Sequence, residues 1–179
     1  MIKNFNNQKI IIRSLNVGDL EKARQFQEFI NRLVAEDAPM KVNKKLSLKE
    51  EQEWLKKQLT KIKAKKSIIL VAEAGGEIVA NCGVDADWGR RSHIGKFCIA
   101  VDKDFRSCGI GGAIAREIIS LSSKKLGAKI LRLSVYPTNK KAIKFYQKLG
   151  FKKVSIIPRQ IQSDNKLIPE IVMLRDLSK

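Results

Sequence analysis

FCIAVDKDFRSCGIGGAIARE, residues 97–117, carries the arrangement on which the rest of the chain can be placed. Apolar residues 97–101 read as a strand. A loop follows, and GGAIAREIISLSSKKLG then has helical character, with Gly127 as its expected C-cap. Gly109, Gly111 and Gly112 remove side chains where backbone must approach a ligand closely. The first N–H groups of a helix have no partner within it, and the helix dipole favours negative charge there. A strand-to-helix turn of this kind is suited to a phosphate or pyrophosphate. Arg106 supplies a cation to the same turn. A Walker phosphate loop would need Lys and Ser or Thr after its glycines, but Ala113 follows Gly112. A dinucleotide fingerprint needs a third glycine where Ile114 stands, and an early βαβ unit that this chain lacks.

Outward from this turn, the elements alternate in type. KIIIRSL (9–15), SIILVAEA (67–74), EIVANCGVDAD (77–87), RSHIGKFCIAV (91–101) and KILRLSV (129–135) read as strands, as do residues 151–157 and 168–174. Gly75-Gly76 marks a tight hairpin turn and SDNK (163–166) a polar one. Apolar residues at three- and four-residue steps, Leu20 through Leu33, predict a helix capped by Asp19 and stopped before Pro39. Ser47 with Glu50 forms a capping box opening a second helix, and 139–149 forms a further one. The expected architecture is one mixed α/β domain over residues 1–179, with helices on both faces of a central sheet.

The composition is that of a globular chain, with 44% apolar and 30% charged residues. Neither a membrane span nor a signal peptide is read, so cytoplasm is the expected compartment. Cys82, Cys98 and Cys108 have no metal or disulfide spacing. Cys82 and Cys98 are expected in the core, and no metal is expected. Thirty-six Lys and Arg against eighteen Asp and Glu give a formal charge of +18. The lysine-rich run 41–66 reads as a solvated helical face, because its aromatic residue, Trp54, belongs to the apolar stripe of the helix and no other interleaves the lysines to stack on bases. Nucleic acid is therefore the less favoured partner.

The run R-x-x-G-x-G after a strand ending in IAV resembles the acetyl-coenzyme A motif of the GNAT superfamily of N-acetyltransferases. LSVYPTNKKAIKFYQKLGF (133–151) resembles that family's downstream pattern, and Arg90 to Gly95 its lead-in. The resemblance implies a mixed, mostly antiparallel sheet with helices on both faces. It also implies a splayed gap between strands 91–101 and 129–135 that holds acetyl-CoA.

By the same resemblance, backbone N–H groups of Cys108, Gly109, Ile110, Gly111 and Gly112 hold the pyrophosphate, beside Arg106. Ile99 and Val101 pair with the pantetheine arm, and an N–H near Ile99 serves the oxyanion. Asn139 bonds the cofactor or the following helix. Tyr146 is the general acid that protonates the leaving thiolate. Many relatives carry a strand glutamate as base, but Lys96 stands at that position. Glu36 is the named candidate for base or acceptor binding; Asp37, Glu73, Asp85 and His93 are further carboxylate or imidazole candidates. Acceptor loops are expected at 36–47 and 158–167. The implied reaction is direct acetyl transfer to a primary amine, on a small molecule or a protein, by a monomer or homodimer. The alternative is a non-catalytic fold of this type whose basic surface binds nucleic acid.

Overall fold

A computed structural model of the chain describes residues 1–5, 8–163 and 166–178. Among them, eight strands form one sheet: β1 (Ile2–Phe5), β2 (Gln8–Ser14), β3 (Ser67–Ala74), β4 (Glu77–Ala86), β5 (Ile94–Val101), β6 (Ile130–Val135), β7 (Lys152–Ser163) and β8 (Lys166–Asp176). The spatial order is β1-β2-β3-β4-β5-β6-β8-β7. Neighbours are antiparallel except β5 and β6, which are parallel. The helices are α1 (Ala23–Ala35), α2 (Leu48–Lys63), α3 (Ile110–Leu126) and α4 (Lys140–Lys148).

Side-chain alternation along β3 explains the layering. All eight of its residues are buried, because both faces of the sheet are covered. Ile69 and Val71 join Phe26, Phe29 and Leu33 of α1 and Leu55 of α2 in one core. Ile68, Leu70 and Ala72 face the other way, into a larger core with Ile110, Ile114 and Ile118 of α3 and with Leu131, Phe151 and Met173. Partly buried Ala142, Ile143, Phe145 and Tyr146 seat α4 against that second core. Each large apolar side chain buried in this way contributes about 1.5–3 kcal/mol.

Ser47 and Glu50 form the expected capping box at α2. The start of α1 differs from expectation. Asn16 caps a short 3-10 turn, Val17–Leu20, with Asp19 as the reciprocal partner, and the α-helix begins only at Ala23. Asp19 is drawn from helix capping at α1 into a pair with Arg13 at 2.6 Å. Residues 91–93 are not strand either: Gly89–Arg91 turns in 3-10 form and β5 starts at Ile94. Cys98 lies on the exposed face of β5, so its assignment to the core is corrected; Cys82 is buried. The hairpin turn expected at 163–166 includes residues outside those described. No helix among the described residues is long and apolar enough to cross a membrane.

Candidate functional site

The sheet is interrupted at its middle. β5 and β6 pair only at Ile94 with Ile130, Gly95 with Leu131 and Lys96 with Arg132, and then diverge. Gly95 makes this point of closest approach feasible: a Cβ there would lie 2.6 Å from Val84 Cγ1 and 2.8 Å from Leu131 Cδ2. β5 continues alongside β4 as far as Val101, opposite Ala80. The Asp87 N–H donates to the Ile94 carbonyl, and the Asp102 N–H to the Val79 carbonyl at 2.9 Å. In an antiparallel ladder, bonding residues alternate. Residues 94, 96, 98 and 100 therefore bond toward β4, while the main-chain groups of Ile99 and Val101 point into the gap. Past Lys96 no strand among the described residues pairs with them there.

At the C-terminal end of β5 the chain enters the glycine turn. The Asp102 side chain accepts from the Asp104 N–H at the head of the Lys103–Phe105 turn. Ser107 and Gly109 both take positive φ, 64° and 98°. Such reversals between ordinary and left-handed backbone turn successive N–H groups to one side. At Gly109 a Cβ would meet the Phe5 ring at 3.3 Å, so glycine is required for conformation and for space. Gly109 is also the N-cap of α3 and offers no side-chain acceptor. Asn16, Ser47 and Asn139 each cap the 3-10 or helical segment that follows them with a side-chain oxygen. The N-terminus of α3 is thus left to be satisfied by solvent or a ligand, beside the free edge of β5. Cys108 is half-buried and donates its thiol to the Phe105 carbonyl at 2.8 Å.

Arg106 does not project as a free cation. Its Nε donates to the Val101 carbonyl at 2.9 Å, and both terminal nitrogens engage Glu36, Nη1 at 3.2 Å from Oε2. Glu36 caps the C-terminus of α1. One side chain therefore ties the turn after β5 to the end of α1. A cleft of about 250 Å³ lies along this tie, lined by Arg32, Leu33, Glu36, Asp102 and Lys103. Arg32 holds Asp102 at 2.7 Å. The guanidinium occupies both carboxylate oxygens of Glu36, which suits anchoring better than proton abstraction.

Tyr146 projects from α4 toward the gap. Its ring meets Phe97 of β5 edge-on, centroids 6.2 Å apart, and neighbours Phe151 at 6.0 Å. Its hydroxyl has no hydrogen-bond partner among the described residues. Burial raises its pKa above the ordinary phenol value. Asn139 accepts from the Ala142 N–H at 3.0 Å, which is the helix-capping alternative among its two expected roles.

The other candidate bases are committed elsewhere. Glu73 binds Arg13 at 2.5 Å and Lys22 at 3.0 Å. Asp85 pairs with Lys61 at 2.6 Å, and Lys96 with Asp87 at 3.4 Å. The His93 carbonyl accepts from Lys129 and Ile130 at the far, N-terminal end of β5. The sequence reading assigned no role to Tyr136 or Glu170. Tyr136 follows β6, and its hydroxyl donates to the Met40 carbonyl at 3.1 Å, closing the α1–α2 loop over the gap. The register that sets Val135 opposite Ile171 puts Tyr136 beside Glu170. Desolvation first, then the charges of Glu170 and Asp37, raise the Tyr136 pKa. Two carboxylates thus act on one phenol beside the α1–α2 loop.

A parallel pair that splays beside an uncapped helix N-terminus leaves a strand edge and helix N–H groups open side by side, an arrangement suited to an extended anionic ligand. The chain belongs to the Acetyltransferase (GNAT) family, which it matches over residues 28–151. It is 36% identical over 83 residues to the L-amino acid N-acetyltransferase AaaT of Escherichia coli, a match covering 46% of this chain and 51% of that protein. It is 26% identical over 154 residues to an N-alpha-acetyltransferase of Sulfurisphaera tokodaii, covering 80% of this chain and 90% of the other. The match with AaaT thus spans about half of that relative's length. An acetyltransferase of this family from Streptococcus pneumoniae superposes with a TM-score of 0.81 at 25% identity, over 94% of this chain and 99% of that one. A Salmonella typhimurium acetyltransferase solved with acetyl-CoA shares the fold, with a TM-score of 0.78 at 16% identity over 95% of both chains.

Proposed function

We propose that the chain is an acetyl-CoA-dependent N-acetyltransferase that passes the acetyl group directly to a primary amine within a ternary complex. The observation that carries this reading is the edge of β5 at Ile99 and Val101, which β6 leaves unpaired, set beside the uncapped N-terminus of α3. The edge fits an amide-bearing arm that adds as a strand, and the N–H groups from Cys108 to Gly112 fit a pyrophosphate. Acetyl-CoA would supply an activated acyl group as its thioester.

The residues of the chain divide the remaining work. The N–H of Ile99 faces the gap and is placed to receive developing negative charge on an acyl oxygen. Tyr146 keeps its proton at neutral pH because burial opposes ionisation. A thiolate released into the same apolar wedge is desolvated too, which raises its own proton affinity and favours transfer from Tyr146 Oη. Arg106 and Glu36 act as positioning residues that hold the turn against α1.

Acceptor recognition is assigned to the mouth formed by Tyr136, Asp37 and Glu170. Although the chain is strongly basic, this mouth is acidic, and it fits an ammonium group that must give up a proton before attack. Thiol release from acetyl-CoA with free amino acids, peptides bearing a free N-terminus, and lysine peptides tests the proposal. Turnover with at least one class is expected. No turnover with any of them, while calorimetry shows acetyl-CoA bound, would sink it.

A further inference from the structure

The candidate site uses the C-terminal end of β5. A different surface occupies the N-terminal end of the same strand. Three connections meet there: α2 to β3, β4 to β5, and α3 to β6. The Ala86 N–H donates to the Lys66 carbonyl at 2.8 Å, and the Lys129 N–H to the His93 carbonyl at 2.8 Å. The junction brings Lys65, Lys66, Arg90, Arg91, Lys125 and Lys129 to one end of the sheet, all exposed. Carboxylates are few and occupied. Asp85 is paired with Lys61, and Asp176 accepts from the Ser178 N–H at 2.8 Å. Asp87 holds Arg91 at 2.8 Å and accepts from the Trp88 N–H at 3.0 Å, which fixes the base of the β4–β5 loop. The cations remain in clear excess.

Trp88 stands at the tip of that loop with 85% of its surface exposed. Asp87, Trp88, Arg90 and Arg91 line a recess of about 300 Å³ beside it. Gly89, at φ 61°, turns the chain away and leaves open space where a side chain would be. The aromatic residue within the lysine run of α2, Trp54, packs against the core, but the fold supplies an exposed one from another segment.

We propose that this end of the sheet binds single-stranded nucleic acid. The Trp88 indole stacks on an unpaired base, and Lys65, Lys66, Arg90 and Lys129 contact backbone phosphates. A flat exposed ring with cations around it matches a base flanked by phosphates. A second copy of the chain fits poorly, because a two-fold contact would set these arginines and lysines against their own like charges. An anionic membrane also fits less well. In the three connections that meet here, Trp88 is the one large apolar side chain that is exposed among the described residues, whereas membrane adhesion scales with buried apolar area. The surface lies away from the glycine turn and does not depend on acetyl transfer.

The test is fluorescence anisotropy of the full chain with labelled single-stranded RNA and DNA of about 16 nucleotides, titrated across salt concentrations. Trp88→Ala is expected to weaken binding by about 5- to 150-fold. Lys66→Gln combined with Lys129→Gln should make the log–log salt slope shallower by about 1.4. Both variants should melt at the wild-type temperature, and Arg90→Glu gives an independent loss of affinity if Trp88→Ala does not fold. Wild-type affinity in a folded Trp88→Ala protein overturns the proposal. So does preferential, Trp88-dependent binding to phosphatidylserine vesicles, or Trp88-dependent self-association in sedimentation.

Discussion

Replacing Glu51 by glutamine should change how stability depends on pH. Glu51 lies in the first turn of α2 with 2% of its surface exposed. Its carboxyl makes no hydrogen bond or ion pair among the described residues, and burial pushes its pKa up to about 7. The adjacent Glu50 is held at about 2, because the Ser47 N–H and hydroxyl both donate to it. In the unfolded chain Glu51 titrates near 4.3, so the two states differ in proton occupancy between roughly pH 4.5 and 7. The folded state is the more protonated, so folding stability falls as pH rises through that window. The pKa difference corresponds to about 4 kcal/mol. The N-terminus of α2 favours the charged form by about 0.3–1 kcal/mol, which sets the expected loss near 3 kcal/mol. Urea unfolding of both proteins at pH 5, 6, 7 and 8 measures it. Glu51→Gln should exceed wild type by about 1 kcal/mol at pH 5 and by about 3 kcal/mol at pH 8. Parallel stability curves across the range would show that the carboxyl is hydrated or partnered, and the reasoning would fail.

Tyr146→Phe should lower kcat by about 100-fold or more, with acetyl-CoA affinity unchanged by calorimetry; intact turnover would move the acid elsewhere. Gly109→Ala combines positive φ with a contact on Phe5, and a strain of about 1–3 kcal/mol should appear as weaker acetyl-CoA binding and a lower melting temperature. In a double-mutant cycle, Glu36→Gln and Arg106→Gln should show a coupling of at most about 1 kcal/mol in stability, since the guanidinium is substantially exposed. Asp37→Asn and Glu170→Gln should each raise KM for the amine without changing KM for acetyl-CoA, in initial-rate measurements with each substrate varied separately.

Most of the fold was legible because its signals are local. The Ser47–Glu50 box, Gly127 at the end of α3 and the near-continuous apolar run of β3 are each settled by a few neighbouring residues. β1 was not legible: four mostly exposed residues gain strand geometry only by pairing with β2. The start of α1 was misplaced because Asn16 and Asp19 form a reciprocal cap that serves a 3-10 turn and then stops. The same division holds for the site. The glycine turn could be read because its glycines cluster where a strand gives way to a helix, and Gly109 takes a φ that favours glycine. The Arg106–Glu36 tie joins residues 70 positions apart, and the acidic mouth draws on three separate segments. No periodicity or spacing records such meetings.

The short seam between β5 and β6 affects how the molecule holds together. Strands β1–β5 form one continuous ladder, and β6, β8 and β7 another, with main-chain pairing between them at only three positions. Contacts such as Phe97 on the Tyr146 and Phe151 rings carry much of the cohesion across the middle of the sheet. A ligand that pairs with Ile99 and Val101 would act as a splint across the two ladders. Amide exchange in the upper half of β5 should then slow more on ligand binding than exchange at the outer strands, and the two ladders should lose their independence as they unfold.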